Sequence, residues 1–537
     1  MILSFLKNLA VSIRIVYQFS STHIMKSTKT KNFLLACLSG LLLCIIFPKF
    51  DMEILAWVSL VPLLFAIQRE NLLTSFYLGF TTGFVSFLGI LYWVIVAVHT
   101  YGRIHIIPSG LILVLLVAYL SLYVAVFAFL LTYIRSRIQW NMVVVAPFLW
   151  VSLEYIRSFF FTGFPWAALG YSQYLNLPII QVGDITGVYG ISFLILLVNA
   201  VIYDFISMMG RAERPPPLRE GVVVLAILVV VFGYGIAQIK KVENISSRQR
   251  KMRIGLAQGN IDQSIKWNTA YQEKTLQIYE NLSSIVAREK PSLIIWPETA
   301  TPFFFQSEER YQPRVMEVPG KTGAYLLFGS PSYDWVKGKV EYYNSAYLLS
   351  PEKEVIGRYD KIHLVPFGEY VPLSKFLFFL GSLSAVGNLS PGKLVRNLRF
   401  PRGDFGVLIC YEIIFPNLCR KFVKEGADFL VTITNDAWFG RTSAPHQHLS
   451  MATFRAIENR VSIARAANTG ISAFIDAKGE IRKMSSLFTQ ETLVGQIGPR
   501  IEKTFYTRYG NVFALVSSAF AFLCVLLAYF KRLLIFL

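Results

Sequence analysis

Long apolar runs fill most of the first 239 positions and return near the C-terminus. They predict membrane spans at 33–48, 54–68, 72–98, 106–134, 142–162, 185–208, 220–239 and 511–533. Each run approaches the roughly 20 residues that a helix needs to cross a bilayer. The first two are short for separate spans, so a tight hairpin is an alternative for them. The pattern as a whole predicts a membrane α-helical bundle of eight transmembrane helices.

Between residues 240 and 510 the pattern changes to short apolar runs separated by polar stretches. Strand-like runs occupy 252–258, 293–296, 325–329, 345–349, 406–410, 429–434 and 472–476, and helical stretches fit 269–289, 415–425 and 446–460. This alternation is typical of a layered α/β domain. We therefore divide the chain into an N-terminal tail (1–32), seven spans (33–239), an α/β domain (240–510) and a last span with the C-terminus (511–537).

The composition supports a membrane protein, since 54% of residues are hydrophobic and 16% are charged. The net charge of +19 comes without an arginine-rich tract interleaved with aromatic residues. We therefore expect anionic lipid, and no nucleic acid, as the partner of this charge. Basic residues concentrate in the tail and in loops 135–141 and 209–219, which indicates that these face the cytoplasm. The α/β domain then lies on the opposite side of the membrane.

The five cysteines form neither a paired framework nor a CxxC motif. We expect no disulfides and no bound metal. Cys37, Cys44 and Cys524 lie in apolar spans, where cysteine usually fills space as a small hydrophobe. In the α/β domain, Cys419 has the same structural interpretation, which leaves Cys410 as the candidate for chemistry.

A carboxylate, an ammonium and a thiol each follow a strand-like run in the α/β domain. These are Glu298, Lys361 and Cys410. If the strand ends converge, Glu298 can take the thiol proton, provided that burial or a neighbouring carboxylate such as Glu369 or Glu412 raises its pKa. Lys361 can balance the thiolate and stabilise an oxyanion. The set predicts acyl transfer through a thioester. Each residue alone also has an ordinary structural interpretation, so only their joint occurrence supports this chemistry.

Residues 252–480 resemble the nitrilase-like carbon–nitrogen hydrolases, and nearly the whole chain resembles the bacterial apolipoprotein N-acyltransferase family. The matching motifs are Trp-Pro-Glu-Thr at 296–299, Lys-x-His-Leu-Val-Pro-Phe-Gly-Glu at 361–369, Ile-Cys-Tyr-Glu at 409–412 and, in the membrane half, segment 162–173. The resemblance implies an αββα sandwich for the α/β domain.

The resemblance also implies an activity, the last step of bacterial lipoprotein maturation. An acyl chain moves from a phospholipid through a Cys410 thioester to the α-amino group of the diacylglyceryl-cysteine of an apolipoprotein, with ping-pong kinetics. Glu298 would be the base and Lys361 the oxyanion stabiliser. Supporting or substrate-binding positions would be Glu369, Glu412, Tyr411 and Trp267. No cofactor is expected, because the lipid ester is already activated. We expect a monomer in the bacterial inner membrane with a periplasmic catalytic domain.

Two other functions remain open at this stage. A membrane-tethered amidase or nitrilase that acts on a small amide would share Glu298, Lys361 and Cys410. A scaffold or carrier with a degenerate outer domain would need none of them, and the intact motifs argue against it.

Two apolar runs next to the motifs suggest contact with lipid. Residues 376–387, which include Phe376, Leu377, Phe378 and Phe379, are predicted to form a lipid-entry arm that dips into the outer leaflet, and Phe303–Phe305 is a similar run. The alternative is that both runs are core strands.

Glu154 and Arg157 lie one helical turn apart in the fifth predicted span. Because charges inside a bilayer are costly and usually paired or functional, we predict that they pair and hold loop 162–173. The alternative is that Arg157 extends to the headgroups.

Overall fold

The computed structural model describes residues 28–138, 140–209, 218–370 and 389–536. The chain forms two compact units. The helical unit contains residues up to 95, 105–238 and 511 onward, and the sheet unit contains 96–104 and 239–510. Segment 96–104 belongs to the sheet unit although it is flanked by helical-unit sequence, and its Tyr101 ring contacts Trp438 at 6.2 Å between centroids.

Among the described residues, six helices are long and apolar enough to cross a membrane. They are Thr28–Ile45, Leu72–Leu91, Ile106–Ile138, Val188–Met209, Leu218–Arg248 and Val512–Phe536. The predicted spans at 54–68 and 142–162 are different. The first is a 3-10 turn, Glu53–Trp57, followed by the short helix Val61–Ala66. The second is the 16-residue helix Met142–Arg157, which contains Pro147.

Length explains why eight spans are not confirmed. A helix of 16 residues is about 24 Å long, and the hydrocarbon core of a bilayer is about 30 Å thick. At the broken segment 53–66, the Asn199 side chain supplies hydrogen bonds to backbone groups that a continuous helix would pair internally. Its Oδ1 accepts from Leu60 N at 2.8 Å and its Nδ2 donates to Ala56 O at 2.9 Å. Irregular backbone in an apolar environment needs such partners.

Small residues allow the helices Leu72–Leu91 and Ile106–Ile138 to pack closely. A Cβ on Gly79 would lie 2.6 Å from Val124 O, and one on Gly83 would lie 2.8 Å from Ser121 Cα. Helix pairs in membranes use small residues in this way, because there is little hydrophobic force between helices to compensate for a wider spacing.

The predicted pairing of Glu154 with Arg157 is wrong, because the two form no ion pair with each other. Instead, each binds the following loop separately. Glu154 Oε1 accepts from Leu169 N at 2.7 Å, and Arg157 Nη2 donates to Ala167 O at 3.4 Å. Both side chains therefore bind backbone groups of loop 162–173, as predicted.

The described part of the sheet unit, 96–104, 239–370 and 389–510, contains twelve strands. They are β1 Met252–Gln258, β2 Leu293–Ile295, β3 Tyr325–Val336, β4 Lys339–Leu349, β5 Val355–Asp360, β6 Leu398–Phe400, β7 Gly403–Ile409, β8 Phe429–Thr434, β9 Ile463–Ala467, β10 Ala473–Ile475, β11 Ile481–Met484 and β12 Glu491–Ile497. They form two mixed six-stranded sheets, in the orders β12-β1-β2-β3-β4-β5 and β11-β10-β9-β8-β7-β6. Parallel pairs occupy the middle of each sheet, β1-β2-β3 in one and β7-β8-β9 in the other. The two sheets contact each other through β1 with β9 and β4 with β7.

The described helices of the sheet unit are Gln272–Ala287, Gln312–Thr322, Pro416–Lys424, Ala444–Asn459 and the short Phe505–Tyr509. The apolar core beneath the first two includes Trp296, Tyr279, Phe303 and Phe305. Phe303 and Phe305 are 6% and 1% exposed, and only Phe304, at 36%, is an exposed ring of that run. The alternative interpretation of Phe303–Phe305 as a core strand is thus correct about burial for two of its three residues and wrong about the strand, since Phe305 begins a 3-10 turn, Phe305–Ser307.

Candidate active site

Three strands of the two sheets deliver the predicted triad. Glu298 follows β2, Lys361 comes directly after β5, and Cys410 comes directly after β7. Lys361 Nζ lies 2.9 Å from the Glu369 carboxylate and 3.7 Å from Glu298 Oε1. Glu298 of the glutamate motif therefore lies close to Lys361, which in turn holds Glu369 at the other end of the lysine motif.

Cys410 adopts a left-handed backbone conformation, with φ of 54°. A residue with a Cβ pays strain for this conformation, and such strain concentrates at functional sites. The Cys410 residue as a whole is partly exposed, yet burial of its thiol raises the pKa, and the Glu298 carboxylate raises it further. Lys361 acts in the opposite direction. The thiol is therefore protonated at neutral pH and needs a base before it can attack.

Lys361 is almost fully buried, with 1% of its surface exposed. Burial by itself lowers the pKa of a lysine, but the carboxylates of Glu369 and Glu298 outweigh it and hold the pKa of Lys361 above its usual value. The ammonium group therefore keeps its charge throughout the physiological range.

Asn344 connects the two carboxylates from the middle of β4. Its Nδ2 donates to Glu298 Oε1 at 2.8 Å and to Glu369 Oε1 at 3.0 Å. The second oxygen of Glu298 accepts from Asn435 N at 2.9 Å. Sequence reasoning missed Asn344, because no motif surrounds it and a strand interior carries no signal for a polar role.

Glu412 binds the backbone next to Cys410 and the backbone that follows Lys361. Its Oε2 accepts from Ile409 N at 2.7 Å, and its Oε1 accepts from Tyr359 Oη, Ile362 N and His363 N at 2.8, 2.7 and 3.1 Å. Burial raises its pKa to about 7, against the effect of these donors. The contacts make it a support of the site, since it binds the backbone on both sides of the reacting groups.

A buried polar network lies behind Cys410. His448 Nε2 donates to the Cys410 carbonyl at 3.2 Å, which requires a proton on that nitrogen. Asp436 accepts from Thr434 Oγ1 at 2.9 Å and from Arg465 Nη2 at 2.6 Å. Burial favours protonation of Asp436, but Arg465 outweighs it and holds the pKa of Asp436 below its usual range. The network fixes the backbone on which the nucleophile sits.

The remaining predicted residues are more peripheral or are not described. The Tyr411 ring packs against Phe415, with centroids 5.1 Å apart. Trp267 is 46% exposed in the loop after β1, where an aromatic ring can meet a substrate. Phe376, Leu377, Phe378 and Phe379 lie outside the described residues.

Sequence reasoning also missed Lys266, a buried lysine that donates to the Glu298 carbonyl at 3.0 Å. Its position next to Trp267 was the one available signal. Among the described residues, no group of three or more His, Cys, Asp or Glu side chains could hold a metal ion.

Comparison with known proteins gives matches to both parts of the chain. Residues 39–201 match the model of the apolipoprotein N-acyltransferase N-terminal domain, and residues 253–504 match the carbon-nitrogen hydrolase model. The chain is 46% identical to the apolipoprotein N-acyltransferase of Geobacter metallireducens, over 94% of this chain and 96% of the relative. It is 34% identical to that of Pasteurella multocida, over 91% and 94%.

Among solved structures, the Nit3 protein of Saccharomyces cerevisiae, a member of branch 10 of the nitrilase superfamily, matches with 19% identity and a TM-score of 0.37, over 47% of this chain and 91% of Nit3. The nitrilase-like fold is assigned from the carbon-nitrogen hydrolase match and the two mixed sheets. From the match to curated relatives over nearly its full length, this chain belongs to the apolipoprotein N-acyltransferase family.

Proposed function

We propose that this protein moves an acyl chain from a membrane phospholipid to the α-amino group of the diacylglyceryl-cysteine of apolipoproteins, through a thioester on Cys410. The relatives' name supplies the acceptor class and the reaction type. The observation that supports the chemistry is the position of Lys361, buried between the carboxylates of Glu298 and Glu369 and within electrostatic reach of Cys410.

In the first half-reaction, Glu298 accepts the thiol proton and the Cys410 sulfur attacks the ester carbonyl carbon. Lys361, with the backbone N–H that follows Cys410, stabilises the oxyanion. The carbon–oxygen bond to glycerol then breaks, and Glu298 returns the proton to the glycerol oxygen. Lysophospholipid leaves, and the acyl group remains on sulfur.

In the second half-reaction, the neutral α-amino group of the acceptor attacks the thioester carbonyl. Glu298 takes a proton from the attacking amine, the carbon–sulfur bond breaks, and Glu298 passes that proton to the Cys410 sulfur as it leaves, which restores the free thiol and the carboxylate. Because one product leaves before the acceptor binds, the kinetics are ping-pong. Both steps use the same base and the same oxyanion position.

The other predicted residues fit around this reaction. Glu369 holds Lys361, Glu412 holds the two loops, and Trp267 and Tyr411 contact substrate. Residues 376–387 form the lipid-entry arm. The four-part division at 32/33, 239/240 and 510/511 assigns catalysis to 240–510, on the periplasmic side of the inner membrane, in a monomeric enzyme.

Intact-protein mass spectrometry after incubation with phospholipid alone tests the proposal. We expect a mass increase of one acyl group, removed by hydroxylamine and lost in Cys410→Ala, whereas Cys419→Ala should still gain it. Release of ammonia from a small amide, with no acyl adduct from phospholipid, would indicate the membrane-tethered amidase instead.

A further inference from the structure

Lys266 is a buried lysine for which the mechanism above has no use. It lies in the loop after β1, and 1% of its surface is exposed. Within the part of the chain that the structure describes, its Nζ donates one hydrogen bond, to the Glu298 carbonyl at 3.0 Å, and no carboxylate lies at ion-pair distance from it. An unpaired ammonium in a protein interior is costly, so its presence next to the base calls for a reason.

The charged groups near Lys266 explain why a lysine is buried here. The carboxylate of Glu298 and the thiol of Cys410 both favour its charged form, although burial opposes it and lowers the pKa of Lys266 to about 8. Two carboxylates, those of Glu298 and Glu369, lie at ion-pair distance from Lys361, which can balance only one of them. With Lys266 charged, the two lysines balance these two carboxylates, and the balance is kept when the proton moves from Cys410 to Glu298.

Without that second cation, the site would carry one uncompensated negative charge. A thiolate or an oxyanion would then form beside excess negative charge, which raises the pKa of the thiol. The other ionisable groups that face Cys410 do not replace Lys266. Asp436 is ion-paired with Arg465 at 2.6 Å, and His448 uses its Nε2 proton on the Cys410 carbonyl.

We propose that Lys266 is a positioning residue of the active site, whose ammonium charge balances the second carboxylate and keeps Cys410 able to ionise. The inference rests on the proposed function, because it concerns the nucleophile that function requires. Its hydrogen bond to the Glu298 carbonyl holds the ammonium beside the backbone of the base.

Alkylation of Cys410 by iodoacetamide tests this role without any lipid substrate. The full-length protein is treated in detergent at pH 6–10, and the peptide that contains Cys410 is quantified by mass spectrometry. Lys266→Gln keeps a hydrogen-bond donor and removes the charge, whereas Lys266→Arg keeps the charge. Lys478→Gln is the control, since Lys478 is also buried but is ion-paired with Glu243 and Glu480.

We expect Lys266→Gln to slow alkylation at pH 7 by about tenfold, which corresponds to a thiol pKa about one unit higher. Lys266→Arg and Lys478→Gln should stay within about threefold of wild type. Near-wild-type alkylation of Lys266→Gln, or equal losses in the Gln and Arg variants, would overturn the role of the charge. Because no lipid is used, these outcomes are separate from a failure of wild-type protein to form an acyl adduct.

If Lys266→Gln does not fold, the role of the charge is tested by comparing the pH dependence of Cys410 alkylation in wild type and Lys266→Arg. Lysine loses its charge as the pH rises through about 8, whereas arginine stays protonated. Alkylation of the two proteins should then be similar at pH 7 and at least threefold faster in Lys266→Arg at pH 9. The same ratio at both pH values would contradict the proposal.

Discussion

Lys361 lies between two carboxylates, and this position determines its part in the reaction. Its Nζ contacts Glu369 at 2.9 Å and approaches Glu298 at 3.7 Å, and almost none of it is exposed. A buried ammonium held in this way is oriented before the substrate arrives. Such preorganised charge stabilises a developing oxyanion more strongly than a mobile surface lysine can.

We predict that Lys361→Met lowers the rate of Cys410 acylation by about a hundredfold or more, which is the scale expected for loss of one oxyanion donor. Single-turnover acylation with phospholipid, followed by mass spectrometry, measures it. Lys353→Met, at an exposed ion pair with Glu317, is the control and should be unchanged. A rate within threefold of wild type would remove Lys361 from the triad.

Glu412 acts on backbone rather than on substrate. Glu412→Gln would place an amide N–H2 against a backbone donor, Ile409 N, or against the three donors on the other oxygen. A buried donor left without an acceptor costs about 1–3 kcal/mol. We predict a lower midpoint of thermal unfolding together with slower acylation, measured by a thermal-shift assay and by single turnover.

Tyr359→Phe is the matched control for Glu412, since it removes one of the four donors and leaves the carboxylate satisfied. Tyr359→Phe should lower the midpoint of thermal unfolding and the acylation rate less than Glu412→Gln does. If Glu412→Gln kept full stability and lost only activity, Glu412 would act on the reaction itself and not on the loops.

At the scale of elements, the ends of β2, β5 and β7 place the reacting groups, and neighbouring strands set how closely these ends approach. β3 pairs in parallel with β2, and its Gly329 lies against the backbone of the glutamate motif. A Cβ on Gly329 would be 2.5 Å from Thr299 N and 2.7 Å from Glu298 Cα. These are backbone atoms, so they cannot turn away as a flexible side chain can.

We therefore predict that Gly329→Ala displaces the Glu298 loop and slows acylation by roughly ten- to a hundredfold, the scale for a misplaced catalytic group. Gly233→Ala is the control, because a Cβ there meets nothing within 4 Å. Acylation rates of the folded variants give the comparison. An unchanged rate in Gly329→Ala would show that the loop can shift without moving the carboxylate.

At the scale of the whole molecule, this is a membrane-bound acyltransferase, with six helices long and apolar enough to span a bilayer in the described part of the chain. Both proposed substrates are lipids, and a soluble enzyme would have to extract them from the bilayer at a large cost in exposed apolar surface. Attachment to the membrane removes that step, provided that a path leads from the bilayer to Cys410.

The predicted lipid-entry arm supplies a test of that path. We expect the double variant Phe378→Ser and Phe379→Ser to slow acylation by vesicle phospholipid at least tenfold more than acylation by a short, water-soluble ester. Trp335→Ser, which alters an exposed ring of the sheet unit, should affect neither. Equal losses on both substrates would show that Phe378 and Phe379 belong to an ordinary core.

The sequence by itself determined the features that depend on local composition. Six long helices follow from continuous apolar runs, and strands such as β1 and β8 follow from apolar runs flanked by turns. The positions of Glu298, Lys361 and Cys410 could be selected because each lies in a recognisable motif at a strand end. Their chemical roles stay predictions until the variants are measured.

Only the tertiary structure decided features that depend on partners distant in sequence. The polar strand β11 exists because it pairs with β10, and the 53–66 segment breaks where Asn199 binds its backbone. Asn344 has no local signal and Lys266 has only its neighbour Trp267, because both join the site through contacts with Glu298, at 2.8 and 3.0 Å. Apolar periodicity reports burial along one segment, whereas a polar contact requires two segments to meet, and that meeting is set by the packing of the whole unit.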